Sequence, residues 1–167
     1  LPRGARCPAR RDGDDRLLRD ALRVNVEYLN AHPKCAFVSG QCRFIDSQGN
    51  PLPTPEPYRI SGDYYAALLR YQYIWTASEV MYRRSVFNSV LGFDPSLKAL
   101  NVSNSYDLEL YLRISRQFSV GIHENVIVEY RQHNTNISDN PKGMLKSIST
   151  ILDLQRKYFI GNTEYQR

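Results

Sequence analysis

Two short polar segments contain the residue types that catalytic and metal chemistry most often needs. The first is Asp12-Gly13-Asp14-Asp15, and the second, far along the chain, is Tyr130-Arg131-Gln132-His133. Carboxylates packed this closely repel one another, so a nearby cation makes it easier to keep each of them ionised. Mg²⁺ and Mn²⁺ take oxygen ligands of this kind, often together with the phosphates of a substrate. The acidic segment therefore predicts a divalent metal that holds a phosphorylated donor or, alternatively, a solvated loop with an acidic helix cap.

Size and composition favour one domain. A chain of 167 residues is long enough to bury roughly 70% of its extended surface. The net charge of +5 is concentrated in residues 1–11, where four arginines have no acidic partner. A basic tail can contact nucleic acid or anionic lipid. Elsewhere basic and acidic residues alternate and no basic stripe is interleaved with aromatic residues, so we do not expect nucleic-acid binding.

The cysteines and the apolar runs bear on the cellular location. Cys7, Cys35 and Cys42 are odd in number and show no metal-type spacing. This indicates reduced thiols in a cytoplasmic setting, with Cys35 and Cys42 as packing residues. No apolar run approaches the length of a membrane-spanning helix, and no signal peptide is visible. We expect a cytoplasmic protein, and the basic lead-in admits peripheral association with the inner face of the membrane.

Hydrophobic periodicity predicts helices that alternate with strands. Apolar residues between Asp15 and Ala31 recur at helical spacing, which predicts a helix that Asp14 or Asp15 caps. Strands are predicted over residues 35–40, 41–45, 78–82 and 126–131. Further helices are predicted over residues 61–70, 84–90, 108–118 and 144–159, and four prolines between 51 and 57 indicate an extended loop. The predicted fold class is α/β, a mixed sheet flanked by helices.

Six segments, taken in order, resemble the C-terminal half of a family 2 glycosyltransferase with the GT-A fold. They are DGDDRLLRDAL, CAFVSGQCRFIDSQGN, GDYYAALL, VMYRRSVFNSVLGFD, YDLELYLRI and YRQHNTNIS. The resemblance covers about residues 12–158. It implies part of a Rossmann-like fold for nucleotide-diphospho-sugar transferases. We expect an irregular basic lead-in over residues 1–11, the metal- and acceptor-side part over 12–160, and a tail over 161–167.

The resemblance implies an inverting, metal-dependent enzyme of surface polysaccharide or glycan synthesis. Such an enzyme moves a sugar from a nucleotide-diphosphate donor to a hydroxyl of a glycan or lipid-linked acceptor. The resemblance implies that Asp12 and Asp14 form a DxD motif, with Asp14 as the direct ligand of Mn²⁺ or Mg²⁺. We interpret Asp15 as a helix cap. His133 would complete the metal shell or contact the diphosphate, and Arg131 would neutralise phosphate charge as the diphosphate departs.

The acceptor side of the implied site is carried by three further residues. By resemblance Asp107 is the general base that takes the proton of the attacking hydroxyl. Tyr106 stands where the family commonly has a glutamate, which indicates either an altered or a damaged acceptor pocket. Trp75 lies in the segment that forms the acceptor-side wall, and aromatic faces stack well on sugar rings. The alternatives are that Asp107 caps its helix, that Trp75 packs in the core and that His133 is a surface residue.

Family members begin with a Rossmann-like half that holds the nucleotide. Residues 1–11 are too few for a βαβ unit, which needs about 30 residues. We therefore expect a truncated chain with marginal stability or self-association and little activity alone. One alternative is a non-catalytic sugar-binding or protein-interaction domain that keeps the shape of the fold. Another, an enzyme that transfers phosphoryl or nucleotidyl groups, is disfavoured because no glycine-rich phosphate loop occurs.

Overall fold

A computed structural model describes residues 12–57, 59–60, 62–100, 102, 105–133, 136 and 140–161. The elements in chain order are β1 (Arg16–Leu17), α1 (Ala21–Ala31), β2 (Cys35–Ile45), α2 (Tyr64–Arg70), β3 (Val80–Tyr82), α3 (Arg84–Ser89), α4 (Tyr106–Ser115), β4 (Ser119–Arg131) and α5 (Pro141–Gly161). Two short 3₁₀ turns, Ala77–Glu79 and Pro95–Lys98, lie between them. The lead-in predicted over residues 1–11 and residues 162–167 of the predicted tail lie outside the described residues.

The four described strands form one mixed sheet in the order β1-β4-β2-β3. The long central strands β2 and β4 run parallel, whereas the short strands β1 and β3 pair antiparallel to β4 and β2. A parallel pair needs a long crossover, and here the crossover carries α2, α3 and α4. The predicted α/β class with a mixed sheet and helices is confirmed.

Each face of the sheet packs against its own layer. Successive side chains of a strand point to opposite faces. Phe37 and Tyr82 therefore join the main core with α2, α4 and α5, while Val38 and Met81 pack with Leu29 of α1. Burying one such large apolar side chain contributes about 1.5–3 kcal/mol. These two layers fix β2 and β4, whose ends carry the polar residues of interest.

Several predicted helices are confirmed. Helix α2 begins after Asp63, whose carboxylate accepts hydrogen bonds from the backbone N–H groups of Tyr65 and Ala66. Helix α3 lies within the predicted range, and α5 extends the predicted helix by a few residues at each end. The helix predicted over 108–118 corresponds to α4, Tyr106–Ser115. It is buried on more than one side, as expected for a helix that is apolar on more than one side. The prediction of an extended, proline-rich loop is confirmed for the described residues 51–57 and 59–60.

Several predicted boundaries are wrong. Helix α1 begins at Ala21 rather than Asp15, because Arg16 and Leu17 pair with β4 instead of coiling. The two strands predicted over residues 35–45 are one strand, β2, whose register shifts around Gly40. Strand β4 begins at Ser119, whereas the sequence predicted only its second half, residues 126–131. The first residues of the strand predicted over 78–82 form a 3₁₀ turn.

No helix in the described ranges has the length and apolar character needed to cross a membrane.

Gly40 lies where the two central strands approach closely. A Cβ atom placed on Gly40 would lie 2.5 Å from Cγ1 of Ile127 and 2.7 Å from Cε1 of His123. We expect Gly40→Ala to lower the free energy of unfolding by about 1–3 kcal/mol, because the neighbouring side chains must leave their packed positions. Urea unfolding followed by circular dichroism measures this effect. The control is Gly13→Ala, because a Cβ there meets no atom within 4 Å; equal effects of the two substitutions would contradict the prediction.

Candidate functional site

The acidic turn, residues Asp12 to Asp15, is fixed by the buried carboxylate of Asp15. This side chain accepts hydrogen bonds from the hydroxyls of Thr76 at 2.7 Å and Ser78 at 2.6 Å. It also accepts one from the backbone N–H of Arg131 at 3.2 Å. Asp15 is only 2% exposed, and a buried carboxylate is tolerated when it is fully hydrogen-bonded. The prediction that Asp15 caps α1 is therefore wrong, because its side chain turns inward to hydroxyl donors.

The segment that meets Asp15 is a capping box over Thr76–Glu79. The Thr76 hydroxyl accepts a hydrogen bond from the backbone N–H of Ser78, and Glu79 Oε1 accepts from the N–H groups of Trp75 and Thr76. Sequence reasoning missed Thr76, Ser78 and Glu79 as site residues. The available signal was the pattern Thr-x-x-Glu, which is typical of a capping box. This turn holds Trp75 next to the acidic turn.

Glu79 is fully buried behind this turn. Burial raises the pKa of its carboxyl to about 8, against a usual value of 4.5. The backbone donors at Trp75 and Thr76 act in the opposite direction but do not offset the burial. Burial likewise raises the pKa of the neighbouring Cys42 thiol, in keeping with its prediction as a packing residue. Glu79 is therefore mostly protonated at neutral pH and serves as a polar anchor for the turn.

Arg131, at the end of β4, fastens two loops together. Its Nε–H donates to the backbone carbonyl of Asp14 at 2.9 Å, and its Nη1 group donates to the carbonyls of Asp46 and Ser47, each at 2.9 Å. The guanidinium therefore positions the acidic turn. Contact of Arg131 with a donor diphosphate stays a prediction.

Asp14 and His133 form a hydrogen-bonded pair at the surface. The Nε2 atom of His133 lies 2.8 Å from Oδ2 of Asp14, and the two side chains are 29% and 41% exposed. The hydrogen bond from His133 lowers the pKa of the Asp14 carboxyl below its usual value. Two residues 119 positions apart in the chain, both singled out from the sequence, thus lie in contact with each other.

Asp12 is oriented differently from Asp14. Its backbone N–H donates to the Ser78 hydroxyl at 3.0 Å, and its Oδ2 atom lies 3.5 Å from the Thr76 hydroxyl. Among the residues that the structure describes, no three His, Cys, Asp or Glu side chains form a group that could hold a metal ion. Asp14 of the acidic turn and His133 beside it are two adjacent side chains that could donate electron pairs to a metal ion. A carboxylate with an imidazole suits Mn²⁺, whose other positions phosphate oxygens and water can fill.

An aromatic cavity of about 250 Å³ opens beside the acidic turn. Its lining residues are Phe44, Gln72, Ile74, Trp75, Tyr130, Gln132 and Met144. The Phe44 ring packs edge to face against both Trp75 and Tyr130, with ring centroids 5.5 Å apart in each pair. Trp75 is 36% exposed, so the prediction that it lines a surface cavity is compatible with the structure. The acidic turn is contacted by Thr76, Arg131 and His133. Each of these residues directly follows a residue of the cavity lining, namely Trp75, Tyr130 and Gln132, so the cavity lies near the acidic turn.

Helix α4 begins near Met144, one of the residues that line this cavity. Its N-cap Ser105 has a left-handed backbone, with φ of 74°, and donates its hydroxyl to Sδ of Met144 at 3.8 Å. Asp107 lies in the first turn, where its Oδ1 atom accepts a hydrogen bond from the backbone N–H of Leu108 at 2.9 Å. Tyr106 is partly buried against the main core. The start of α4 thus contacts Met144, and the partner of Asp14, His133, follows Gln132 in the chain; Met144 and Gln132 both line the cavity.

We expect Asp15→Ala to lower the free energy of unfolding by roughly 2–4 kcal/mol, because the Thr76 and Ser78 hydroxyls and the Arg131 N–H would lose a buried acceptor. Urea unfolding provides the measurement. Asp14→Ala is the matched control, and its effect should stay below about 1 kcal/mol because an exposed ion pair contributes little. The reverse order of the two effects would contradict the assignment of Asp15 as the structural aspartate.

A second prediction concerns pH. The folded protein holds the Glu79 proton more tightly than the unfolded chain, so the contribution of Glu79 to stability should be complete below pH 4.5 and be lost as pH rises through about 8. The slope contributed by this one group is at most about 1.4 kcal/mol per pH unit. Glu79→Gln should remove this contribution, whereas Glu124→Gln at an exposed position of β4 should keep it. Identical pH profiles for the wild-type protein and Glu79→Gln would exclude the effect.

The described residues thus join an acidic turn, a surface aspartate–histidine pair and an aromatic cavity. Comparison of the chain with models of known protein families gives no match, and comparison with curated protein sequences gives none either. The interpretation of the site therefore depends on its residues and their geometry.

Proposed function

We propose that the chain is the metal- and acceptor-side part of an inverting glycosyltransferase of family 2 with a partial GT-A fold. It would transfer a sugar from a nucleotide-diphosphate donor to a hydroxyl of a glycan or lipid-linked acceptor. The observation that supports this proposal best is the contact between Asp14 and His133, the residue that follows Gln132 in the lining of the aromatic cavity. Such a transferase needs two adjacent sites. One binds a cation with the donor diphosphate, and the other is an apolar surface that binds a sugar ring.

The roles proposed on the donor side follow from chemistry and position. Asp14 and His133 would hold Mn²⁺ or Mg²⁺, with Asp12 as the second carboxylate of the motif. The metal, when bound, would neutralise the charge of the donor diphosphate as it leaves. Arg131 adds positive charge close to Asp14 while it fixes the backbone of the acidic turn.

The proposed base on the acceptor side is Asp107. Inversion requires the acceptor oxygen to attack the anomeric carbon from the face opposite the leaving diphosphate, while a base takes its proton. The first turn of α4 favours an ionised carboxylate by about 0.3–1 kcal/mol, which keeps Asp107 ready to accept the proton. Trp75 would hold the acceptor ring by stacking, and Tyr106 would shape the pocket behind it.

A second candidate is a non-catalytic carbohydrate-binding domain of the same shape. It is favoured by the contacts of Asp12 with Thr76 and Ser78, which give this aspartate a structural role in the turn. In this case the aromatic cavity would bind sugar without a metal. For either candidate we propose a cytoplasmic location, including peripheral contact with the inner face of the membrane.

Trp75 is the single tryptophan of the chain and lines the cavity, so its fluorescence reports on the site. We expect a saturable change in this fluorescence when UDP- or GDP-sugars are added with Mn²⁺, and none when a chelator replaces the metal. Asp14→Asn should weaken nucleotide binding by about tenfold or more, equivalent to the loss of one charged ligand contact of about 1.4 kcal/mol. Isothermal titration calorimetry checks the same affinities independently.

The matched control is Asp153→Asn, which changes an exposed aspartate of α5 about 13 Å further along the helix than Met144. This variant should bind nucleotide as the wild-type protein does. Nucleotide binding that is equal in Mn²⁺ and in chelator, or unaffected by Asp14→Asn, would contradict the metal-dependent transferase. Preference for nucleoside triphosphates over nucleotide-diphosphate sugars would also contradict it.

A further inference from the structure

The described residues that line the aromatic cavity are uncharged. The described residues around it are three aromatic rings, two apolar side chains and two carboxamides. Its volume of about 250 Å³ lies just below the roughly 300–1,000 Å³ of pockets for drug-sized ligands. The cavity therefore suits one small ring rather than an extended molecule.

The two carboxamides are placed to recognise hydroxyl groups. The Nε2 group of Gln72 donates to the backbone carbonyl of Ile74 at 3.1 Å, which fixes the side chain and leaves its Oε1 atom as an acceptor. Gln132 is held by its backbone, whose N–H donates to the carbonyl of Ile45 at 2.8 Å. Within the part of the chain that the structure describes, its carboxamide has no hydrogen-bond partner. A carboxamide both donates and accepts, as a sugar hydroxyl does.

The charges nearest to the cavity disfavour anionic ligands. Thr76, the chain neighbour of Trp75, donates to the buried Asp15 carboxylate and lies 3.5 Å from a carboxylate oxygen of Asp12. The guanidinium of Arg131, beside Tyr130, is directed to the backbone carbonyls of Asp14, Asp46 and Ser47. A carboxylate or phosphate in the cavity would lose water without gaining a cationic partner from the lining, which is costly.

We propose that this cavity binds a single neutral pyranose ring of the acceptor and rejects uronic acids and phosphorylated sugars. The apolar face of the ring stacks on Trp75, and its hydroxyls bond to Gln72 and Gln132. That the ring belongs to the acceptor rests on the proposed function. Binding of the ring itself needs neither the metal nor the nucleotide. It names the chemical class of the acceptor sugar that the transferase would extend.

The test is a titration of Trp75 fluorescence in chelator, with the methyl glycosides of glucose, galactose and mannose as neutral probes. Methyl glucuronide and glucose 6-phosphate are the anionic probes, and methyl glucosaminide is the cationic one. We expect saturable binding of at least one neutral glycoside, and binding of the charged probes at least about tenfold weaker. Equal or tighter binding of a charged probe, or no saturable binding of any neutral glycoside, would overturn the proposal.

Variants assign the binding to the cavity. Gln132→Ala should weaken binding of the neutral glycoside about tenfold, the effect of one lost hydrogen bond of about 1.4 kcal/mol. Gln48→Ala, at an exposed glutamine in the turn after β2, is the control and should leave affinity unchanged. Gln132→Lys should gain affinity for methyl glucuronide, a result that a merely misfolded variant cannot give. An unchanged glycoside affinity in both Gln132 variants would overturn the assignment.

Failure of this inference is distinguishable from failure of the transferase proposal. Glycoside binding is measured in chelator, whereas nucleotide binding is measured in Mn²⁺. Glycoside binding without nucleotide binding would support the neutral-ring site and assign it to a carbohydrate-binding domain. Nucleotide binding without selectivity for neutral rings would leave the transferase proposal intact and overturn the neutral-ring site.

Discussion

The buried carboxylate of Asp15 organises this molecule. It joins three distant parts of the chain, namely the acidic turn, the capping box before β3 and the end of β4. A buried carboxylate is costly unless its oxygens are bonded, so its three donors must all be in place. That requirement fixes the path of the backbone on either side of Asp15, including Asp14, whose side chain remains at the surface. A structural aspartate thereby positions Asp14, the proposed metal ligand.

The same contacts connect the acidic turn to the cavity. Glu79 holds the backbone of Trp75, Arg131 follows Tyr130, and His133 follows Gln132. Each residue that supports the acidic turn is a direct or near neighbour of a residue that lines the cavity. The proposed metal-and-phosphate site and the proposed sugar-ring site, built in this way, cannot shift independently. This coupling suits a reaction in which two substrates must meet with their reacting atoms aligned.

Much of the fold could be predicted from the sequence because the relevant signals are local. Helices α2, α3 and α5 and the proline-rich loop depend on near neighbours, and these elements occur close to the predicted ranges. Asp15 could not be interpreted in that way. An aspartate ahead of an apolar run is typical of a helix cap, and only the tertiary fold supplies Thr76 and Ser78 as competing donors. The resemblance directed attention to Asp14 and His133, and the structure brings those two into contact. Asp107 is connected to the aromatic cavity only indirectly, because Ser105 at the start of its helix contacts Met144 of the cavity lining.

The spacing of the partners of Asp15 has a consequence for how the chain folds. Its donors lie 61 and 63 residues away at Thr76 and Ser78, and 116 residues away at Arg131. Closing the longer loop adds only about 0.6 kcal/mol of chain entropy, so the cost in stability is small. The cost in rate is larger, because contacts between distant positions form slowly. During synthesis Thr76 and Ser78 emerge before β4, so the last donor to Asp15 and the contact between Asp14 and His133 form only after β4 has been made.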